Sequence, residues 1–360
     1  MCTRHHNPIQ CILPPYMTDK LPGRVDGKDL DQTSGDEQIR LKRKMLAQIP
    51  VAKKKNAMMS SFKAKTVLYR EVYDAKQIPV KIGKLLWKEG QPMIKNDTDA
   101  KNVIVGAGLV WNFYKKLFKR NSIDNNGLPI LQTIRYRENA YEDYYNAFWD
   151  GEQMFYGTGN RKYTGSFTSD LDIIAHELTH GVIDFEARLE YENQSGALNE
   201  SLADVFGIMI KQWANKTPAR KSDWLIGKNI LKGKNALRSL KAPGTAYIND
   251  PVFGNDPQPA VMKDFVKMPN TEKGDWGAVH YNSGIPNYAF YVACYEQGGH
   301  SWEKVGAAWY AALTNPRLLK PHSNFKDAAN ATMKSAATLF GKNSLPVQAI
   351  EKGWQTAGVI

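Results

Sequence analysis

The sequence predicts an α+β fold in which a β-rich half precedes a helical half. From about residue 66 to 165, short segments alternate apolar and polar residues, which is the two-residue period of strands. After about residue 168, apolar residues recur with the 3.6-residue spacing of helices. Hydrophobic residues make up 42% of the chain and charged residues 23%, which is a globular composition. No apolar run approaches the roughly 18 residues that a membrane helix needs.

The first 60 residues differ from the rest of the chain. They contain Pro14-Pro15, a polar stretch at 26–37, a short helical pattern at 38–48 and a lysine run at 53–55. We interpret residues 1–60 as a small N-terminal module with an exposed linker, and a disordered tail is the alternative.

The remaining elements follow from the same periodicities. Strands are predicted at 66–73, 83–88, 130–137 and 144–155, and one helix is predicted at about 100–119. Further helices are predicted near 169–187, 196–214, 283–297, 301–314, 323–340 and 344–356.

The helix predicted at 169–187 carries the clearest chemical motif. His176 and His180 are four residues apart, so on a helix both imidazoles point from one face toward a single metal ion. Glu177 lies beside that face, where a general base for a metal-bound water belongs. The alternative is a pair of ordinary surface histidines.

A catalytic zinc site usually has three protein ligands, so one more is needed. The next helix offers Glu200, twenty residues after His180, which leaves room for a turn and an antiparallel return. Asp204 follows one helical turn later and could accept a hydrogen bond from the outward nitrogen of a zinc-bound histidine. Two solvent-facing carboxylates are the alternative.

Several separated motifs resemble the thermolysin family of zinc metallopeptidases, over essentially all of residues 65–360. The resemblance rests on the two helices above and on three further segments, 146–154, 191–200 and 277–284. It implies a two-lobed zincin with a β-rich lobe at 61–190, a helical lobe at 191–360 and the active-site helix between them.

The resemblance also implies roles for individual residues. His176, His180 and Glu200 would bind one catalytic Zn²⁺, and Glu177 would be the general base on the zinc-bound water. Tyr191 and His280 would stabilise the oxyanion, and Asp275 would orient the imidazole of His280. The residues that would bind substrate are Asn146, Ala147, Phe167, Ile173, Leu237 and Arg238. Three of them, Phe167, Ile173 and Leu237, make the pocket apolar, so we expect cleavage before bulky apolar residues.

The chain departs from the family pattern where many members bind calcium. Asp172 and Asp223 match two acidic ligands, but Lys211, Leu225 and Lys228 stand where acidic side chains are expected. Two lysines would oppose a cation directly. The sequence therefore predicts that the paired calcium site is absent or altered.

The N-terminal module resembles the short propeptide of the protealysin group within the family, over Cys11, Pro14, Pro15 and Tyr16. It implies a self-processing zymogen that is inhibited by its own propeptide and cut between about residues 45 and 65. The Cys11 thiolate could occupy the open position of the zinc, or Cys11 could be a small buried residue.

We therefore expect a monomeric zinc endopeptidase that acts on proteins and peptides and binds neither nucleic acid nor membranes. The net charge of +12 would suit a protein that binds nucleic acid, but no nucleic-acid recognition motif accompanies the basic runs at 42–44 and 53–55. An inactive binding protein on the same scaffold is the other alternative. The opening residues have no apolar segment typical of a secretory signal. Secretion by a route without a cleaved signal is thus expected, with the cytoplasm as the alternative.

Overall fold

A computed structural model describes residues 11–21, 67–80, 82–138, 143–160, 162–233 and 236–360. The helix predicted at 38–48 and the predicted processing region at 45–65 lie outside the described residues. The chain forms two compact units, Met1–Gly181 with Asn229–Gly233 and Val182–Lys228 with Lys234–Ile360. No helix among the described residues is long and apolar enough to cross a membrane. The division falls within a single helix, the one that carries the two predicted zinc histidines.

The first unit contains a five-stranded sheet with the order β2-β1-β3-β5-β4. Its strands are β1 Arg70–Asp74, β2 Lys84–Lys88, β3 Ile130–Ile134, β4 Ala147–Trp149 and β5 Met154–Tyr156. Strand β3 pairs in parallel with β1 and with β5, whereas β2 and β4 pair antiparallel with their neighbours. Strand β4 therefore lies at an edge of the sheet.

The single strand predicted at 144–155 is two short strands joined by a turn. Asp150 Oδ1 accepts the backbone N–H groups of Glu152 and Gln153, and Gly151 has a φ of 97°. An aspartate that bonds the backbone two residues later favours a turn, and a positive φ suits glycine. The local turn chemistry thus overrides the aromatic, strand-like pattern around it.

The first unit also holds a four-residue helix, α1 Pro15–Thr18, and a long helix, α2 Thr98–Phe118. The side chain of Asp97 accepts the N–H of Ala100 and caps the start of α2, and Lys119 ends it in the left-handed conformation. The buried face of α2 includes the predicted apolar residues Val103 and Val110.

Helix α3, Leu171–Phe185, runs from the first unit into the second. The second unit adds one long helix, α4 Asn193–Ala214, and a two-stranded sheet, β6 Leu225–Ile226 with β7 Arg238–Ser239. Every residue of α4 from 195 to 210 is buried.

The helices that follow are α5 Asp275–Asn282, α6 Gly284–Gln297, α7 Val305–Leu313, α8 Phe325–Phe340 and α9 Leu345–Thr356. Helices α6 and α9 pack closely because Gly353 has no side chain, and a Cβ there would lie 2.3 Å from the carbonyl oxygen of Ala289. Helix α8 begins with a capping box between Asn324 and Asp327.

The predicted α+β fold is confirmed, with a sheet in the N-terminal region and helices in the C-terminal region. Helices were expected near each of α2, α3, α4, α6, α7, α8 and α9, and all of them form. Among the described residues the structure adds short elements that were not predicted, including α1, α5, the β6–β7 pair and three single-turn 3₁₀ helices. Elements this short carry too few residues to show a periodic pattern.

Candidate metal centre and active site

Helix α3 positions the two predicted zinc histidines. His176 and His180 are fully buried, and their Nε2 atoms lie 3.0 Å apart. The helix is anchored to α2 by a 3.0 Å hydrogen bond between the hydroxyl groups of Tyr114 and Thr179. Gly181 follows the second histidine, and a Cβ there would lie 2.6 Å from the side chain of Ile123. The glycine therefore allows the helix to pack closely at the metal-binding turn.

Glu200, on α4, supplies a third candidate ligand. One ligand atom each from His176, His180 and Glu200 lies within 4.8 Å of the other two, and all three residues are buried. Two imidazole nitrogens and one carboxylate oxygen form a donor set that suits Zn²⁺ and leaves a coordination position open. A buried carboxylate also needs a cationic partner to be tolerated. The residues present therefore fit a zinc ion.

Glu177 is fully buried next to His176. Tyr156 lies at the end of β5. Burial and the negative charge of Glu177 raise the pKa of the Tyr156 hydroxyl well above its usual value.

Tyr191, His280 and Asp275 form a connected group. The hydroxyl of Tyr191 donates to Glu200 Oε1 and lies 3.2 Å from His280 Nε2. His280 Nδ1 lies 2.6 Å from Asp275 Oδ1, and the backbone N–H of His280 donates to Asp275 Oδ2 at 2.8 Å. A carboxylate can only accept here, so Nδ1 carries the proton.

The charges around His280 favour its protonated form. Burial alone would lower the pKa of the imidazole, but the negative charges of Asp275 and then of Glu200 outweigh burial and raise that pKa to about 9. This imidazole is therefore suited to donate a hydrogen bond or a proton near neutral pH.

The first half of α5, before His280, is a left-handed turn and not regular helix. Asp275, Trp276, Gly277 and Ala278 all have positive φ values between 50° and 86°. This left-handed conformation costs roughly 1–2 kcal/mol for each residue other than glycine. Gly277 is required sterically as well, because a Cβ there would lie 2.4 Å from Asn193 Oδ1. The sequence motif around His280 gave no sign of this turn.

Asp204 is held by residues of the second unit. Arg238 donates to it through Nε and Nη2, both at 2.8 Å, and Asn287 Nδ2 donates at 2.9 Å. All three side chains are buried. The expected bond from Asp204 to a zinc-bound histidine stays a prediction. Sequence reasoning missed Asn287, because a single asparagine within an apolar helical pattern carries no signal of its own.

The remaining predicted substrate residues are placed as follows. Asn146 immediately precedes β4, and Ala147 is its first residue. Phe167 and Ile173 are fully buried in the first unit, and Leu237 is buried in the second, before Arg238 on β7.

The N-terminal segment lies along strand β4. Cys11 forms an antiparallel bridge with Phe148, and the N–H of Ile12 points to the carbonyl oxygen of Ala147 at 3.4 Å. Asn146 bonds both sides of Leu13: its Oδ1 accepts the N–H at 2.9 Å, and its Nδ2 donates to the carbonyl oxygen at 3.0 Å. The segment therefore extends the edge of the sheet.

Cys11 is buried in an aromatic cluster formed by Tyr144, Phe148 and Phe155, with Tyr136 packed against it. The candidate metal-ligand group found in the described part of the chain contains no cysteine. After Leu13 the extended segment ends, because Pro14 caps helix α1 and Pro15 begins it. Tyr16 is half-buried on this helix.

Two lysines contact the carboxylate of Asp223, in the region where many family members are expected to bind calcium. Lys211 Nζ lies 3.5 Å from Asp223 Oδ1 and donates to the carbonyl oxygen of Leu225 at 2.7 Å. Lys228 Nζ lies 3.3 Å from Asp223 Oδ2. Asp172, by contrast, is buried in the first turn of α3.

A buried donor set of this kind, with a glutamate adjacent to one histidine, is typical of zinc-dependent hydrolases. The family model described as "Thermolysin metallopeptidase, catalytic domain" matches residues 30–184, and "Thermolysin metallopeptidase, alpha-helical domain" matches residues 187–359. The chain belongs to the thermolysin family of metallopeptidases and is a zinc metalloendopeptidase.

Individual relatives agree with this assignment. The chain is 44% identical over 293 residues to an extracellular metalloprotease of Pectobacterium carotovorum subsp. carotovorum, covering 81% of each protein. It is 40% identical over 295 residues to protease PrtS of a Photorhabdus species, covering 81% of this chain and 76% of that protein. Its fold is similar to the precursor of protealysin, a metalloproteinase from Serratia proteamaculans. That similarity has a TM-score of 0.77 and 40% identity, over 89% of this chain and 98% of the other.

Proposed function

We propose that this enzyme cleaves internal peptide bonds of proteins with Glu177 as general base and with Tyr191 and His280 as oxyanion donors. The observation that carries the proposal is the buried connection from Asp275 through His280 and Tyr191 to the ligand Glu200. Zn²⁺ held by the three ligands would acidify a water molecule and polarise the substrate carbonyl.

Each protein group then has one task. Glu177 takes a proton from the attacking water and can pass it to the leaving amine. Tyr191 and His280 donate hydrogen bonds to the oxygen on which negative charge develops, and Asp275 keeps the imidazole oriented. Asp204 has two tasks: it orients a zinc-bound histidine, and it orients the guanidinium of Arg238. Removing one such donor commonly costs about 10²–10³ in kcat.

The assay is hydrolysis of a protein substrate by the full chain, with and without a zinc chelator. Activity is expected to vanish with the chelator and to return with added Zn²⁺. Substitution of His280 by alanine should lower kcat while zinc content stays equal to that of the wild type. Unchanged kcat in that variant would contradict its assigned role.

We propose that the residue after the cleaved bond is bulky and apolar. The support is the apolar, buried character of Phe167, Ile173 and Leu237, with Asn146, Ala147 and Arg238 bonding the substrate backbone. Product analysis of an unbiased peptide mixture should show Leu, Phe, Ile or Val at that position. A preference for charged residues there would contradict this specificity.

We propose that residues 1–60 are a propeptide and linker that inhibit the enzyme in cis, followed by catalytic lobes at 61–190 and 191–360. The bonds between Leu13 and Asn146 support this, because a peptide added to the edge of β4 would compete with substrate for the same groups. Burial of Cys11 in the aromatic cluster favours its packing role over zinc ligation. An unchanged latency in a Cys11→Ser precursor would agree with packing.

We propose that the Lys211 ammonium takes the place of a structural calcium ion, so that the catalytic Zn²⁺ is the metal the enzyme needs. Its contacts with Asp223 and Leu225 support this. The name of the extracellular relative supports secretion of this protease, and we further propose that it is a monomer. Fractionation of producing cells tests the location, and cytoplasmic retention would contradict secretion.

A further inference from the structure

Asn287, on helix α6, is a buried polar residue to which the mechanism above assigns no task. It is 1% exposed, and its Nδ2 donates to Asp204 Oδ2 at 2.9 Å. We propose that Asn287 is a positioning residue that orients the Asp204 carboxylate and, through it, the guanidinium of Arg238. The inference rests on the proposed function, in which Arg238 bonds the substrate backbone, and it takes the partner of Arg238 to be the carbonyl of the residue after the cleaved bond.

The pair that Asn287 would orient is well suited to such control. Arg238 Nη2 donates to Asp204 Oδ1, and Nε donates to Oδ2, each at 2.8 Å. The two parallel bonds make the planes of the guanidinium and the carboxylate turn together. A carboxylate torsion is otherwise broad, so a third donor on Oδ2 fixes the plane of both groups. Loss of that donor would therefore move the donors that Arg238 presents.

Asn287 is itself held in place by the backbone. Its N–H donates to the carbonyl oxygen of Ser283 at 3.1 Å, in the first turn of α6. The Ser283 hydroxyl and Gln258 Nε2 both donate to the carbonyl oxygen of His280, at 3.0 and 2.7 Å. The same turn thus fixes the proposed oxyanion donor and Asn287. Preorganisation of this kind avoids an ordering cost when substrate binds.

A merely structural asparagine would satisfy the buried charge of Asp204 without affecting substrate. Asn282 offers the matched control, because it is equally buried and its side-chain amide is also hydrogen-bonded. Its Oδ1 accepts the N–H of Val266 at 2.9 Å, and its Nδ2 donates to the Val266 carbonyl at 2.8 Å. Replacing Asn282 by alanine removes a buried amide from the neighbouring helix without touching Asp204.

The experiment compares two ligands on the full chain after it has processed itself. One is a peptide hydroxamate that carries leucine with its carbonyl intact, and the other has that carbonyl reduced to a methylene. Asn287→Ala is expected to weaken the carbonyl ligand about 5- to 20-fold, which is less than the loss of a whole hydrogen bond from a charged donor, because Arg238 is displaced and not removed. The methylene ligand should change less than about twofold. Asn282→Ala should change neither ligand by more than that.

Substrate kinetics give a second readout. Asn287→Ala should raise KM and leave kcat within about twofold, because binding of a carbonyl is weakened equally in the ground state and the transition state. If Asn287→Ala does not yield folded protein, Asn287→Ser is measured in the same way.

Equal weakening of both ligands, or no weakening of the carbonyl ligand, would overturn the proposal. If the wild type fails to distinguish the two ligands, the role of Arg238 fails and this inference falls with it. That result is visible without any variant, so the two failures can be told apart. Absence of peptide hydrolysis by the wild type would refute the proposed function; the N-terminal segment would then be removed with an added protease, and the ligand pair would still report on Asn287.

Discussion

Replacing Lys211 by methionine is expected to destabilise the fold, because this side chain acts as an internal cation. Its ammonium lies at the end of α4, 2.7 Å from the Leu225 carbonyl oxygen and 3.5 Å from Asp223 Oδ1. Methionine keeps a long, unbranched apolar side chain and removes the charge and its donors.

The magnitude follows from the contacts. A hydrogen bond from a charged donor contributes about 1.5–3 kcal/mol, and a partly exposed ion pair adds about 0.2–1 kcal/mol. Allowing for the partial exposure of Lys211, the expected loss is about 1–3 kcal/mol, or a fall in Tm of about 2–6 °C. Lys228 is 56% exposed and makes one long contact with Asp223. Lys228→Met should therefore cost less than about 0.5 kcal/mol and serves as the control.

Acid should remove part of this stabilisation. Burial raises the pKa of Asp223, but the charge of Lys211 and further contacts outweigh burial and lower that pKa overall. The folded carboxyl group therefore binds its proton less tightly than the unfolded one does. Its contribution is complete above the unfolded pKa of about 3.9 and is lost as the pH falls through the lower folded value. The difference between wild type and Lys211→Met should shrink over that range.

The assay is denaturant unfolding of the wild type and both variants, with calcium and with a calcium-selective chelator. The wild-type midpoint should not depend on calcium, and only Lys211→Met should fall clearly. An equal fall in Lys228→Met, or a large rise of the wild-type midpoint with calcium, would refute the internal-cation argument.

Three further predictions concern the active site and the propeptide. Asp275→Ala should lower kcat about 10- to 100-fold with unchanged zinc content, because the imidazole loses its orienting carboxylate. Leu13→Ala should hasten processing of the precursor, because truncating this fully buried side chain weakens docking by about 2–4 kcal/mol. Gly277→Ala should lower both activity and Tm, because the residue has a φ of 86° and no room for a Cβ.

Matched changes separate these effects from general damage. Lys20→Ala, at an exposed site of the same N-terminal segment, should leave the processing rate unchanged. Gly90→Ala meets a similar φ of 91° with no atom within 4 Å of its Cβ, so it should cost only backbone strain of about 1 kcal/mol. Equal losses of activity and Tm in the two glycine variants would contradict the steric role of Gly277. Equal processing rates in the two N-terminal variants would contradict the docking role of Leu13. For Asp275→Ala, loss of zinc together with activity would point to damage of the metal site.

The sequence predicts most of the fold because the long elements carry long patterns. Helices α3 and α4 repeat their apolar spacing over several turns, and the metal-binding motif on α3 depends on spacing alone. The left-handed turn at 275–278 was not predictable, because three of its four residues are not glycine and the conformation depends on tertiary bonds.

Contacts between distant segments were also beyond the sequence. The bonds between Leu13 and Asn146 join residues 133 positions apart, and those between Asp204 and Asn287 join residues 83 apart. Single polar residues at such separations show no local pattern. The lysine–aspartate group around Asp223 was partly foreseen, since the lysines were expected to oppose calcium, but their donation to the Leu225 carbonyl was not.

The most direct test of the zymogen and of the general base is the intact mass of the full-length chain beside that of Glu177→Ala. Each protein is incubated with and without a zinc chelator. The account predicts that only the untreated wild type loses about 50 residues, through a cut in the exposed linker. Equal trimming of the wild type and the variant would show that another protease makes the cut and would contradict self-processing by Glu177.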